Sequence, residues 1–212
     1  MMGLPPTTLA ASAVALGPLT CGVDVRFTAY TSSSDAVDDR HRAAARAFGY
    51  GIGERGDALV YGGTDVGLMG VLAAATREAG GHVTGVLPQL MADRGLADRA
   101  CDELLITDGM GDRKRAMYER ADAFVALPGG FGTMEELLEV LTLKQLGYHD
   151  KPIVLVDVDG FWQPLLAVFA HLFEQGFAKP EYARLWHVAA TVDELFAHVD
   201  SYGPTGLPAK WF

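Results

Sequence analysis

Short, nearly continuous apolar runs alternate along this chain with longer stretches in which apolar residues recur every three or four positions. A weak alternation predicts a strand over residues 24–30, and the runs predict strands over 58–61, 82–87, 103–106, 123–127, 152–156 and 187–190. The periodic stretches predict helices over residues 35–54, 66–79, 111–120, from about 135 to about 146, 161–174 and 191–199. Residues 89–100 are charged and irregular, and read as a long loop or a short helix near the mouth of a site. Gly56, Gly80-Gly81 and Pro88 punctuate the alternation where elements should stop. Strand followed by helix throughout argues for an α/β class, a Rossmann-like three-layer α/β/α arrangement around a mostly parallel sheet. In such sheets ligands bind beyond the carboxyl ends of the strands.

The chain of 212 residues suits one domain, expected over 23–201, with an N-terminal extension over 1–22 and a tail over 202–212. A net charge of −10 argues against a general nucleic-acid or anionic-membrane surface, but leaves room for a small anionic ligand held by local donors. Cys21 and Cys101 lack metal-ligand spacing and are expected as reduced thiols. Residues 1–22 hold no Lys or Arg, so the mild apolar run over 9–16 lacks the basic flank of a secretory signal. With no run long enough to span a membrane, a cytoplasmic location is expected.

The strongest local signal is Leu127-Pro128-Gly129-Gly130-Phe131-Gly132-Thr133-Met134-Glu135-Glu136, set between a buried strand and a helix. Pro128 ends the strand's ladder, and the glycines let the backbone turn sharply and approach a ligand. Thr133 stands where an N-cap belongs, with Glu136 at capping-box spacing. A helix N-terminus opened this way suits a phosphate. The spacing is neither the dinucleotide fingerprint nor a P-loop. Read alone, the stretch fits a plain capped turn about as well.

Pro128-Gly129-Gly130-x-Gly132-Thr133-x-x-Glu136 matches the signature of the LOG family, the cytokinin riboside 5′-monophosphate phosphoribohydrolases, whose members long carried the name lysine decarboxylase. Upstream, Tyr61-Gly62-Gly63-Thr64-Asp65-Val66-Gly67-Leu68-Met69-Gly70 is similar to that family's Y-G-G-G-x-x-G-L-M-G, and the resemblance runs from about Val25 to Phe177. It implies a nucleoside 5′-monophosphate substrate, cleaved at its N-glycosidic bond to free base and ribose 5-phosphate. It further implies that backbone N–H groups at Gly130 and Gly132 hold the phosphate together with the Thr133 hydroxyl. Ser32, Ser33, Gly63, Met110, Lys114, Gly129 and Glu135 complete the implied binding set, and Arg113 and Glu136 are the implied catalytic pair. Without the resemblance, a solvated helix charge and a simple cap explain Arg113 and Glu136 equally well.

The chemistry suits those residue types. Positive charge grows on the ribose as the bond breaks, and a fixed carboxylate beside C1′ stabilises it and can orient the attacking water. Arginine keeps its proton, so Arg113 holds and orients rather than acting as the acid. Adjacent helix residues face about 100° apart, so only one of Glu135 and Glu136 should enter the site, and Glu136 is the expected one. No metal or cofactor is expected, and the resemblance implies a homodimer. Thr31, Thr64, Gly111 and Asp93-Arg94 depart from the family pattern and leave the preferred base open; His149 is expected as a surface turn residue. A related class, the molybdenum-cofactor carriers, gives the alternative of nucleotide or cofactor binding without turnover. Pyridoxal-dependent lysine decarboxylation is rejected, because Lys114, Lys144 and Lys151 show no cofactor cradle.

Overall fold

The computed structural model describes residues 25–204 and 206. The expected extension over 1–22, Cys21 and the remainder of the tail lie outside the described residues. Seven strands, β1 (Arg26–Tyr30), β2 (Ala58–Tyr61), β3 (His82–Pro88), β4 (Glu103–Thr107), β5 (Ala123–Ala126), β6 (Ile153–Val156) and β7 (His187–Ala189), form one sheet in the order β4-β3-β2-β1-β5-β6-β7. Every neighbouring pair is parallel, so the sheet is parallel throughout rather than mostly so. The helices are α1 (Asp39–Glu54), α2 (Gly67–Glu78), α3 (Gln89–Asp93), α4 (Met110–Arg120), α5 (Phe131–Gln145), α6 (Gln163–Glu174) and α7 (Val192–Asp200). None of them is long and apolar enough to cross a membrane.

The continuous apolar runs of β2, β5 and β6 are buried at every position because both sheet faces are covered. On one face Phe27, Leu59, Val125 and Val154 meet Phe48 and Ile52 of α1, Leu72 of α2 and Phe196 of α7. On the other, Val60, Phe124 and Leu155 meet Met117 of α4, Leu137 of α5 and Phe169 of α6. The direction of strand succession reverses between β1 and β5, which opens a crevice above their carboxyl ends.

Helix starts differ from the sequence reading. α1 begins at Asp39 rather than at 35, because the polar residues ahead of it bond locally instead. Ser34 Oγ accepts from Ala36 N–H at 3.1 Å, Asp35 Oδ1 accepts from Gly67 N–H at 3.1 Å, and Asp38 Oδ1 caps the helix by accepting from Arg40 N–H at 3.2 Å. Residues 31–38 are thereby left as a loop over the crevice.

His149 is not a surface turn residue. It is half-buried against the Tyr118 and Phe124 rings, with Nε2 3.0 Å from Val140 O and Nδ1 accepting from Lys151 N–H at 3.1 Å. Burial, with further push from Lys144 and Lys151, lowers its pKa to about 4. His198, stacked on His187 at 4.0 Å, is lowered by burial and by that neighbour. The unfolded chain therefore takes up protons below about pH 6.5 while the folded chain does not, so this stability is present above that pH and lost as pH falls toward 4. His149→Gln should flatten the fall in unfolding free energy between pH 7 and 4, by an amount on the order of 1–3 kcal/mol, read from urea unfolding at each pH. An unchanged profile would show that His149 contributes nothing to it.

Candidate active site

Three strand ends supply the floor of the crevice. Leu127 N–H donates to Tyr30 O at 3.0 Å and Thr31 Oγ donates to Pro128 O at 3.3 Å, so the loops after β1 and β5 are tied together. The N–H groups of Leu68 and Met69, at the start of α2, both reach Ser32 O, at 2.9 and 3.3 Å. The loop after β1 thus occupies the N-terminus of α2.

The N-terminus of α5 is different. Its first ladder bond is Met134 N–H to Gly130 O at 3.0 Å, so the N–H groups of residues 131–133 lie ahead of the helix's own bonding. The N-cap is Gly130, in extended conformation at φ −89°, ψ −154°, and not Thr133 as the sequence suggested. The expected capping box does not form, because Thr133 is already inside the first turn and Glu136 turns to Arg113 instead. The Thr133 side chain folds back over Gly129, where a Cβ would collide with its hydroxyl. Gly129, Gly130 and Gly132 therefore form an open turn at a positive helix end, with a buried hydroxyl beside it.

Arg113 comes from the first turns of α4 and is only 8 % exposed. Its Nε donates to Val86 O at 3.0 Å, its Nη1 donates to Glu136 Oε1 at 2.6 Å, and a Cβ on Gly62 would run into its Nη2. Burial pushes the Glu136 carboxyl above the ordinary carboxylate range, and the Arg113 guanidinium pulls it back part of the way. The result is a carboxylate and a guanidinium locked together at the wall of a cavity of about 300 Å³, which Ser33, Gly132 and Thr133 also line.

The other expected residues are distributed around this pair. Met110 lines the cavity and is half exposed. Ser32 and Gly129 line an adjoining cavity, on the α1 side of the same loops. Gly63 underlies the site, its carbonyl accepting from Asp98 N–H at 2.9 Å. Glu135 reaches the cavity's edge and pairs with Lys114, which also reaches Glu139 at 3.2 Å. Lys114 is thus committed to two carboxylates on the flank of α5.

Met69, Met91 and Leu96 also line the cavity, and sequence reasoning had not singled them out as site residues. Met69 lay within a quoted motif. Met91 and Leu96 flank Asp93-Arg94, one of the departures from the family pattern, and Asp93 accepts from Gln89 Nε2 at 2.6 Å within α3 itself. Gly111 faces open space and lines a neighbouring cavity with Lys114 and Tyr118, not the cavity of the Arg113–Glu136 pair. Among the described residues no three His, Cys, Asp or Glu gather as a metal site.

Comparison with known proteins points to one family. The family model described as "Possible lysine decarboxylase" matches residues 69–199. The cytokinin riboside 5′-monophosphate phosphoribohydrolase LOG of Oryza sativa subsp. japonica is 40% identical over 179 residues, covering 84% of this chain and 74% of that protein. The LOG3 enzyme of Arabidopsis thaliana is 38% identical over 179 residues, covering 84% of this chain and 83% of that protein. Among solved structures, the molybdenum cofactor carrier protein of Chlamydomonas reinhardtii aligns with a TM-score of 0.63 at 27% identity, covering 83% of this chain and 96% of that one.

Proposed function

This chain belongs to the LOG family of cytokinin riboside 5′-monophosphate phosphoribohydrolases, and from that premise we propose that it hydrolyses the N-glycosidic bond of a nucleoside 5′-monophosphate to free base and ribose 5-phosphate. The observation that carries the reading is the buried Arg113–Glu136 pair lining the same cavity as Gly132 and Thr133 of the open N-terminus of α5. The 5′-phosphate sits on the N–H groups around Gly130 and Gly132 with the Thr133 hydroxyl. Ser33 supports it from the loop after β1. That anchorage, remote from the reacting bond, positions C1′ beside Glu136. The carboxylate stabilises the oxocarbenium-like state and orients water, and Arg113 holds Glu136 and the sugar in register.

Phosphate dependence tests the binding half of this account. Wild type should cleave AMP with a kcat/KM at least about a hundredfold above that for adenosine. In Gly129→Ala the new methyl displaces Thr133 from the turn, and the KM for AMP should rise roughly tenfold. Equal rates on nucleoside and nucleotide would remove the phosphate role assigned to this turn.

Binding without turnover, the property of a carrier, fits the site less well. A carrier has no evident need for a carboxylate buried against a guanidinium at the cavity wall. Lysine decarboxylation has no support either. Lys114 is paired with Glu135 and Glu139, Lys144 donates to Lys151 O and Tyr202 OH at 2.8 and 2.7 Å, and Lys151 donates to Tyr118 O at 3.1 Å.

In this reading the enzyme works in the cytoplasm as a homodimer. Phe131, Leu138 and Leu146 of α5 and its C-terminus, with Tyr148 beyond, are exposed apolar residues on one stretch beside the site, and support such a contact. Light scattering should find a dimer that Leu138→Asp converts to monomer. A monomeric wild type would contradict it.

A further inference from the structure

The connection between β3 and β4 is held by a buried polar cluster that the chemistry at Arg113 and Glu136 does not use. Asp98 is 3% exposed. One of its oxygens, Oδ2, accepts from Tyr61 OH at 2.7 Å and from Arg77 Nη1 at 2.9 Å, and the other accepts from Ala100 N–H at 2.9 Å. Its backbone is held as well: Asp98 N–H donates to Gly63 O at 2.9 Å, and Cys101 Sγ donates to Asp98 O at 2.9 Å. Thr64 and Ala97 add an antiparallel bridge.

A carboxylate this deep is costly unless fully paired, and an ordinary surface connection needs none. Burial pushes the Asp98 carboxyl up, but the bonds from Tyr61, Ala100 and Arg77 more than offset this and hold it below its ordinary range. The partners come from β2, the turn after it and α2, so the cluster fastens the loop of residues 94–101 to the strand end under the cavity. Leu96 belongs to that loop and Met91 to the short helix leading into it, and both line the cavity. Both residues follow β3, and Leu96 is drawn to the end of β2 by the Thr64–Ala97 bridge and the Asp98–Gly63 bond, whereas the phosphate loop follows β5. Two to three strand spacings, roughly 10–14 Å, separate the two. An apolar wall at the end remote from the phosphate suits a planar base rather than a sugar phosphate.

We infer that Asp98, with Tyr61 and Arg77, is a positioning residue that sets the base-side wall of the nucleotide cavity, and so governs the grip on the base while leaving the grip on ribose 5-phosphate alone. The inference rests on the nucleotide reading of the cavity. Calorimetry with AMP and with ribose 5-phosphate separates the two grips. Asp98→Ala should bind AMP about tenfold more weakly, with ribose 5-phosphate affinity held within about twofold. In turnover the same variant should raise KM for AMP far more than it lowers kcat. Asp98→Asn, which still accepts from Tyr61, should recover part of the loss. Tyr61→Phe deletes the hydrogen bond to Asp98, and the 3.5 Å contact of the same hydroxyl with Cys101 Sγ, without opening a cavity, and should shift AMP binding in the same direction; it carries the test if Asp98→Ala does not fold. Equal weakening of both ligands, or no change in either, would overturn the inference. A wild type that binds AMP but releases no base sinks the hydrolase reading and leaves the two-ligand comparison decisive for the wall. A wild type that binds neither ligand overturns both.

Discussion

Glu136→Gln is expected to lower base release from a nucleoside 5′-monophosphate by about 10³-fold while changing nucleotide affinity by less than about threefold. The amide has the shape of the acid, and its carbonyl oxygen can still accept from Arg113 Nη1, the bond that measures 2.6 Å in the native pair. What disappears is the negative charge, and that charge is needed only as the glycosidic bond breaks. Ground-state binding comes from the phosphate turn and the cavity walls, so kcat should fall and the dissociation constant should not. Glu135→Gln is the matched control. Glu135 pairs with Lys114 on the flank of α5, so its loss should cost less than about tenfold. HPLC of released base, with calorimetry for affinity, checks both variants. A Glu136→Gln enzyme within tenfold of wild type would remove the carboxylate from the mechanism.

Arg113→Ala should act on activity and stability together. The side chain joins the backbone of β3 at Val86 O to Glu136 and lies against Gly62, so its removal strips a 7 %-exposed carboxylate of its cation. Breaking one side of a buried ion pair costs about 3–5 kcal/mol. Part of that cost is avoided if Glu136 takes up a proton. Burial already holds its pKa above the ordinary range, and loss of the guanidinium removes the main opposing influence. The active form is the carboxylate, present above that pKa and lost as pH falls through it. In Arg113→Ala the acid limb of kcat/KM should therefore move to higher pH, with activity at neutral pH down about 10²-fold and partly regained on raising pH. An acid limb that stays in place would show that Arg113 does not govern the charge state of Glu136. Replacing both residues, as Arg113→Met with Glu136→Leu, should recover thermal stability without activity.

Strands β2, β5 and β6 were legible in the sequence because both sheet faces are covered there, so each is written as an unbroken apolar run. β2 was read to the residue, and the parallel arrangement followed from the helix after almost every strand. The proposed catalytic pair was legible only through the family resemblance, which supplied Glu136 from the glycine motif after β5 and Arg113 from the segment that opens α4. Arg113 and Glu136 lie 23 residues apart, on different helices, and nothing local announces their bond. The cap was misread because Thr133 and Glu136 have capping-box spacing, whereas the backbone leaves its extended form at Gly130 and has already turned helical by Thr133. The wall residues Met91 and Leu96 escaped because α3 and the loop after it lead to Asp98, whose partners Tyr61 and Arg77 are 37 and 21 positions away. His149 looked polar and peripheral until the Tyr118 and Phe124 rings closed over it.

The most direct test of the central claim is HPLC of AMP and of isopentenyladenosine monophosphate incubated with the wild-type protein, with ribose 5-phosphate quantified in the same samples. A phosphoribohydrolase releases free base and ribose 5-phosphate in equal amounts from at least one of the two nucleotides, and this is the expected result with no added metal or cofactor. Tight nucleotide binding with no base released from either would contradict it, and would make this chain a binder built on an enzyme's fold.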